Sequence, residues 1–369
     1  MKRYYLGLNA GGPKIRECLW GHGSAKTVRE LSELLAKRYQ GTPMLTKNGR
    51  SALAIALKSY FDGGDKIIIA GFTCYAVYDA VKKAGMTPVF ADINKKDLNF
   101  DINTLEGLIE SSTGRGAKGI VIQNTLGNPV DIVKISSFAK KHGLTIIEDL
   151  AHSAGVKYFD GTEVGTVGAA TALSFGKDKA INAITGGAVV LRAPIKHEIE
   201  APFKNPRLSD VLRARFYPLL TGMSRGLNSI HLGGVMMKCF LAIRFVERSA
   251  DSELDLRRRP PKFVTKIALK QIKDFHHRGQ GMIRDFYLVK DRDEVLKKLR
   301  VAGYFFDSFW YEKPVSPSRY YKEVKFPEQK CPVAVEVSKE IINFPRYYSA
   351  KELEPALKII KPYLIKEGE

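Results

Sequence analysis

Short, continuously apolar runs recur along this chain, each separated from the next by a stretch with helical spacing. Lys66-Ile67-Ile68-Ile69-Ala70, Thr87-Pro88-Val89-Phe90-Ala91 and Gly119-Ile120-Val121-Ile122-Gln123 read as buried strands, as does Leu144 to Ile147. Between and before them, Ser51 to Tyr60, Tyr75 to Ala84 and Lys134 to His142 read as helices. Thr27 to Tyr39 is a further helix, with Val28, Leu31, Leu34 and Leu35 on one face. Strands without polar alternation need cover on both sides. The pattern therefore predicts an α/β fold with a mostly parallel sheet flanked by helices. Such sheets take ligands at the carboxyl ends of their strands.

Chemistry-bearing residues fall at those ends. Ile146-Ile147-Glu148-Asp149-Leu150-Ala151-His152 closes one strand on an acid. Downstream, Ser174-Phe175-Gly176-Lys177-Asp178-Lys179 supplies a hydroxyl and an amine, and Thr185-Gly186-Gly187-Ala188-Val189-Val190 follows. An acid for a ring nitrogen, a hydroxyl for a phosphate and an amine for an aldehyde are what pyridoxal phosphate (PLP) requires. A phosphate also favours a helix N-terminus, where backbone N–H groups are free. Thr46-Lys47-Asn48-Gly49-Arg50-Ser51-Ala52-Leu53 offers one: Gly49 permits close approach and Ser51 a hydroxyl. An ordinary N-cap at Asn48 or Ser51 is the plainer reading of that turn taken alone. Beside Asp149 and Lys179, the phosphate reading becomes the stronger.

Composition is that of a globular protein of 369 residues, long enough for one large and one smaller domain. Four scattered cysteines without a CxxC pair predict neither a zinc site nor a disulfide framework. The start, Met1-Lys2-Arg3-Tyr4-Tyr5, lacks the apolar run of a signal peptide, and a cytoplasmic location is expected. The excess of 59 basic over 39 acidic residues, a net charge of +20, favours anionic partners. Nucleic acid is not expected among them, since no helix-turn-helix, zinc or RNA-binding signature accompanies the charge.

The ordered motifs resemble the DegT/DnrJ/EryC1/StrS sugar aminotransferases, of the aspartate aminotransferase fold (type I). The resemblance is carried by Asn48 to Leu53, Gly64-Asp65-Lys66-Ile67-Ile68, Phe72-Thr73, and Pro88-Val89-Phe90-Ala91-Asp92-Ile93. It continues through Gly127-Asn128-Pro129-Val130-Asp131, Glu148 to His152, Ser174-Phe175 with Lys179, Gly186-Gly187, Cys331-Pro332 and Asn343-Phe344-Pro345. It implies a large PLP-binding domain with a mostly parallel seven-stranded sheet, residues 1–262, and a smaller C-terminal α/β domain, residues 263–369. It further implies that Lys179 joins the PLP aldehyde and later moves the substrate proton, that Asp149 pairs with the pyridine nitrogen, and that His152 supports Asp149 or the phenolic oxygen. Ser174, Gly49, Arg50 and Ser51 would bind the phosphate. The implied activity is amino transfer, from glutamate, to a keto-sugar nucleotide by a cytoplasmic homodimer. No metal is implied.

Several positions depart from the family pattern. Lys177, which in a strand would share a face with Lys179, is the only nearby rival amine but aligns less well, and a satisfied core histidine is the lesser alternative for His152. Cys74 stands where the family has a ring-stacking aromatic, which leaves Tyr75 to stack or the ring to be covered differently. The usual Glu-Gly-Gly is Thr185-Gly186-Gly187, and the Asn-x-Arg loop that reaches the partner's cofactor phosphate has no clear counterpart. A basic insertion, about 195–262, is peculiar to this chain. Between Lys204 and Arg248 it carries eight Lys or Arg against Asp210 and Glu247. In it Leu232, Val235, Met236, Cys239, Phe240, Ile243 and Val246 follow helical spacing. Such a stripe packs on the domain or a dimer interface, or lies on an anionic membrane surface. Phe309-Trp310-Tyr311 and Arg319-Tyr320-Tyr321 offer stacking to a sugar or nucleotide, or interdomain core. Alternatives to the sugar-nucleotide reading are a PLP enzyme on a non-sugar or lipid-linked substrate, and a non-catalytic binding or regulatory protein.

Overall fold

The computed structural model of the chain describes residues 3–6, 12–202, 204–227, 232–248, 251–277, 283–306 and 310–365. Its centre is a seven-stranded sheet of β1 (Thr42–Thr46), β2 (Lys66–Ala70), β3 (Thr87–Ala91), β4 (Ala117–Ile122), β5 (Thr145–Asp149), β6 (Ala170–Ser174) and β7 (Gly187–Leu191). The order across the sheet is β1-β7-β6-β5-β4-β2-β3. Five neighbouring strands run parallel, and β7 alone runs against both its neighbours. The mostly parallel seven-stranded sheet that the motifs imply is present. Strand β1 carries no sequence signal: Pro43 breaks its pattern, and it holds its place as an edge strand, where a missing N–H costs no ladder bond.

Helices cover the sheet as their apolar spacing dictates. They are α1 (Ile15–Leu19), α2 (Ala25–Tyr39), α3 (Gly49–Tyr60), α4 (Tyr75–Lys83), α5 (Ile102–Glu110) and α6 (Ile132–Lys141). The Ser24 hydroxyl caps α2 by accepting from Thr27 N–H at 3.1 Å, and Leu31, Leu35 and Tyr39 face the core. Helix α3 is buried nearly all round, between the sheet and α4. That explains its run of Ala, Leu and Ile without a polar face.

The insertion forms α7 (Leu208–Leu227) and α8 (Gly233–Ala242), after which the chain returns through α9 (Lys262–Lys273). The main neighbour of α8 is α7. The expected apolar stripe is not buried on the domain. Leu232, Val235 and Ile243 are 52%, 57% and 70% exposed, and of α8 itself only Gly233 is buried. Val246, beyond the helix, does join the core.

A second apolar cluster gathers Val289, Val295, Leu299, Ile342, Phe344 and Ile360 around two antiparallel strands, Arg284–Leu288 and Ile341–Pro345. The sequence places the division at 262/263. Packing places α9 with the larger core, where Phe263, Val264, Ile267 and Ile272 lie against α2. The charged stretch Arg257-Arg258-Arg259 before α9 is held by the insertion: Arg258 bonds Asp255 at 2.9 Å and Arg259 the Pro202 carbonyl.

Candidate active site

The carboxyl ends of β5 and β6 meet the start of α3, and the backbone there is too close for side chains. A Cβ on Gly49 would stand 2.6 Å from the Ser174 Cβ, and one on Gly187 2.6 Å from the Leu173 carbonyl and 2.7 Å from the Asn48 carbonyl carbon. These glycines let three chain segments converge around one cavity. Its larger part, about 130 Å³, is lined by Asn48, Gly49, Ser174, Lys177 and Lys179 together with residues of the insertion. Its smaller part, about 60 Å³, is lined by Gly49, Asp149, His152, Ser174, Lys179 and Tyr311. Gly49→Ala is expected to weaken PLP retention by at least about 10-fold, because the methyl group must displace Ser174 or the helix start. Fluorescence titration of the apoprotein with PLP measures this.

Lys179 Nζ lies 3.2 Å from His152 Nε2. On the other side of the ring, Leu126 N–H donates to His152 Nδ1 at 3.2 Å. A nitrogen that accepts carries no proton, so the neutral ring bears its proton on Nε2 and points it at Lys179. Burial first, then the charges of Lys179 and Arg284, hold the imidazole well below its usual pKa, so it stays neutral. Leu126 reaches this position through a backbone turned to φ 56°, between Asn124 at 47° and Gly127 at 93°. That uncommon turn is pinned by Asn99 Oδ1, which accepts from Thr125 N–H at 2.9 Å, and by Asn124 Oδ1, which accepts from Val130 N–H at 2.9 Å.

Asp149 ends β5 with one oxygen accepting from Ala151 N–H at 2.9 Å. Burial pushes its carboxyl pKa up, against the pull of Ala151 N–H and Lys179. A carboxyl desolvated in this way, at a cavity wall, suits a cationic N–H such as a protonated pyridine nitrogen. The neighbouring Glu148 does different work. It is fully buried and accepts from Tyr158 O–H at 2.7 Å and from the N–H groups of Gly165, Val167 and Gly168. It ties down the loop that follows the site.

Some expected site residues stand elsewhere. The Tyr75 side chain does not line the cavity: it stacks on Tyr320 with ring centroids 4.0 Å apart and donates to Glu323 at 2.7 Å. Cys74 lines both parts of the cavity instead. As the N-cap of α4, it turns the next residue away. Arg50 lines both parts of the cavity, but its guanidinium is also paired with Asp79 at 2.7 Å inside the protein. Ser51 is buried, does not line the cavity, and accepts from Asp255 N–H at 3.1 Å. Lys177 turns to the insertion, donating to the Glu247 carbonyl with its amine 4.0 Å from the Tyr217 ring centroid. Only Lys179 of the two lysines meets His152.

The aromatic wall comes from far along the chain. Trp310 lies 5.1 Å from the His152 ring, with the Lys179 amine 5.4 Å from its centroid, and Tyr311 packs on Phe72 at 4.5 Å. Phe309 lies outside the described residues. Tyr75→Phe is expected to leave the spectrum of bound PLP unchanged, whereas Trp310→Ala shifts its visible band, and absorption spectra of the two variants check this.

The arrangement of strands and helices superposes on a solved DegT DnrJ EryC1 StrS aminotransferase from Brucella abortus. The TM-score is 0.68 over 94% of each chain, at 18% identity. The fold is that of the PLP-dependent aminotransferases. Sequence carries the assignment further. The profile of the DegT/DnrJ/EryC1/StrS aminotransferase family matches residues 20–360, and the chain belongs to that family. It is 26% identical to the pleiotropic regulatory protein of Geobacillus stearothermophilus over 313 residues, 83% of this chain and 80% of that protein. It is 25% identical to the GDP-perosamine synthase of Escherichia coli O157:H7 over 347 residues, 91% and 90% of the two chains.

Proposed function

We propose that this aminotransferase moves an amino group from an amino acid, glutamate, to a keto-sugar nucleotide, with PLP as cofactor and Lys179 as the lysine that holds it. The observation that carries the reading is the Lys179 amine, 3.2 Å from a neutral His152, at a cavity shared with Asp149, Gly49 and Ser174. The nucleotide-sugar substrate draws support from similarity to GDP-perosamine synthase.

Bound PLP supplies an electron sink for the bonds to the substrate carbon. Asp149 holds the proton on the pyridine nitrogen that makes the ring such a sink. Lys179 would hold the cofactor through its amine and, once free, would serve as the base that moves the substrate proton. His152, fixed by Leu126, presents its Nε2–H to the amine or to a ring oxygen. Ser174 and the N–H groups beginning at Gly49 receive the phosphate. In this reading the protein is a homodimer of the cytoplasm, and its second cluster, around Val289, Val295, Leu299, Ile342, Phe344 and Ile360, forms the core of the smaller domain. Sedimentation equilibrium measures the first point.

The test is the absorption spectrum with added PLP, before and after glutamate. The expected result is a visible band from lysine-bound PLP that glutamate bleaches. A band indifferent to glutamate overturns the donor, and no band overturns the enzyme reading. The exposed Leu232, Val235 and Ile243 beside Lys238 and Arg244 favour one addition, contact with an anionic membrane surface. No described helix is long and apolar enough to cross a membrane. Cosedimentation with phosphatidylglycerol vesicles is expected for the wild type and lost in Val235→Glu/Ile243→Glu.

A further inference from the structure

The basic insertion does not hang free of the active site. Its returning segment closes over the start of α3. Asn48 Nδ2 donates to Ser252 Oγ and to the Glu253 carbonyl, both at 2.9 Å, and Lys47 pairs with Glu253 at 2.9 Å. Together with the Asp255–Ser51 bond, this packs the returning segment against the turn that begins α3.

The charge around the larger cavity is unbalanced. Seven Lys or Arg line it against two acids, Asp210 and Glu247. Several of the cations are committed: Arg259 to the Pro202 carbonyl, Lys47 to Glu253, Arg50 to Asp79. Lys177, like Arg259, donates to a neutral carbonyl, that of Glu247, which leaves its charge uncancelled, and with Arg213 and Arg248 it gives the cavity its excess. Arg213 has Asp210 at 3.7 Å, an ion pair beyond hydrogen-bond distance, and Lys47 reaches the same carboxylate at only 3.9 Å. Arg248 is exposed at the rim. Like charges gathered around one cavity repel one another, and an anion placed among them turns that repulsion into attraction. These three residues line the same cavity as Gly49, Ser174 and Lys179, but not its smaller part, where Asp149 and His152 lie. They stand apart from Asp149, the group proposed for the ring nitrogen, while sharing the cavity with the proposed phosphate ligands Gly49 and Ser174.

We propose that the insertion is an anion clamp acting within its own chain: Arg213 and Arg248, with Lys177 at the strand end, bind a phosphate ester in the active-site cavity. The inference rests on the proposed function, and the shared chemistry has two sources, the cofactor's phosphate and the diphosphate of a nucleotide-linked substrate. It accounts for a chain with no clear counterpart of the family's partner-reaching Asn-x-Arg loop: here the same chain folds its own arginines over the site. Burial brings the Lys177 pKa down to about 8, which still leaves the amine mostly charged at neutral pH.

The experiment compares wild type, Arg213→Gln and Arg248→Gln. Apoprotein is titrated with PLP by fluorescence, and PLP-loaded protein with inorganic pyrophosphate by calorimetry. A charged hydrogen bond to phosphate is worth about 10-fold or more in affinity. A loss of that size for PLP assigns the clamp to the cofactor. The same loss for pyrophosphate with PLP binding intact assigns it to the substrate. Both affinities within 2-fold of wild type, in variants that melt as the wild type does, overturn the proposal. Should Arg213→Gln fail to fold, the exposed Arg248 decides alone. Failure of the aminotransferase reading shows separately, as a wild-type PLP band that is absent or that glutamate does not bleach.

Discussion

Lys179→Ala is expected to lower amino transfer by at least about 10⁴-fold, the upper end of what a positioned proton-transfer group contributes by itself. The loss is that large because one amine serves two purposes, holding the cofactor and moving the proton. Lys177 offers no substitute: its amine donates to the Glu247 carbonyl and packs on the Tyr217 ring, while Lys179 alone reaches His152. The variant should bind PLP without the visible band, and added methylamine should restore part of the proton-transfer rate. Lys179→Arg, which keeps the charge and loses the nucleophile, should be no better than alanine. A variant retaining a tenth of the wild-type rate would move the role to Lys177.

Glu148→Leu is expected to cost about 3–5 kcal/mol of folding stability, the range for removing one partner from a buried charged pair. The carboxylate is fully buried and meets one hydroxyl and three backbone N–H groups at 2.6–2.9 Å, with an Arg192 nitrogen at 3.6 Å. Leucine leaves all those donors without an acceptor in a space closed to water. Unfolding entropy of about 2.1 cal/mol/K per residue makes a chain this long lose little more than about 1 °C per kcal/mol, so the melting temperature should fall by roughly 4–6 °C. A loss under about 1 kcal/mol would mean that water enters the loop in place of the carboxylate. Because Asp149 is the next residue, the variant should also bind PLP more weakly.

The elements that place the site were legible because the physics that forms them is local. Lys66 to Ala70 and Thr87 to Ala91 are strands over the residues their apolar runs predict. Helix α4 begins at Tyr75 and ends one residue before Ala84. Runs buried on both faces have one solution, a sheet between helices, and its strand ends carry Asp149 and Ser174. Strand β1 was not legible, because Pro43 disguises it and its pairing with β7 joins residues far apart in the chain. The Tyr75 side chain was misplaced for a related reason: adjacent residues diverge where a strand end turns into a helix, and only the Tyr320 stack shows which way each one went.

By itself the sequence determined the α/β fold, the family and the order in which an acid, a hydroxyl and a lysine arrive at one edge of the sheet. The fold and that order follow from apolar periodicity and glycine spacing, which act over a few residues, and the family from the resemblance its ordered motifs carry. Tertiary structure decided what depends on groups distant in the chain. It separated Lys179 from Lys177, through His152 on one side and Glu247 on the other. It set the His152 tautomer through a backbone N–H at Leu126, a donor that no side-chain pattern reveals. It also turned the basic insertion back onto the start of α3, with Ser252 to Asp255 bonded to Asn48 and Ser51 some 200 residues earlier. Charge and apolar spacing could give that segment a helix but not a destination, because its partners are hydrogen-bond donors and acceptors brought within reach only once the sheet has formed.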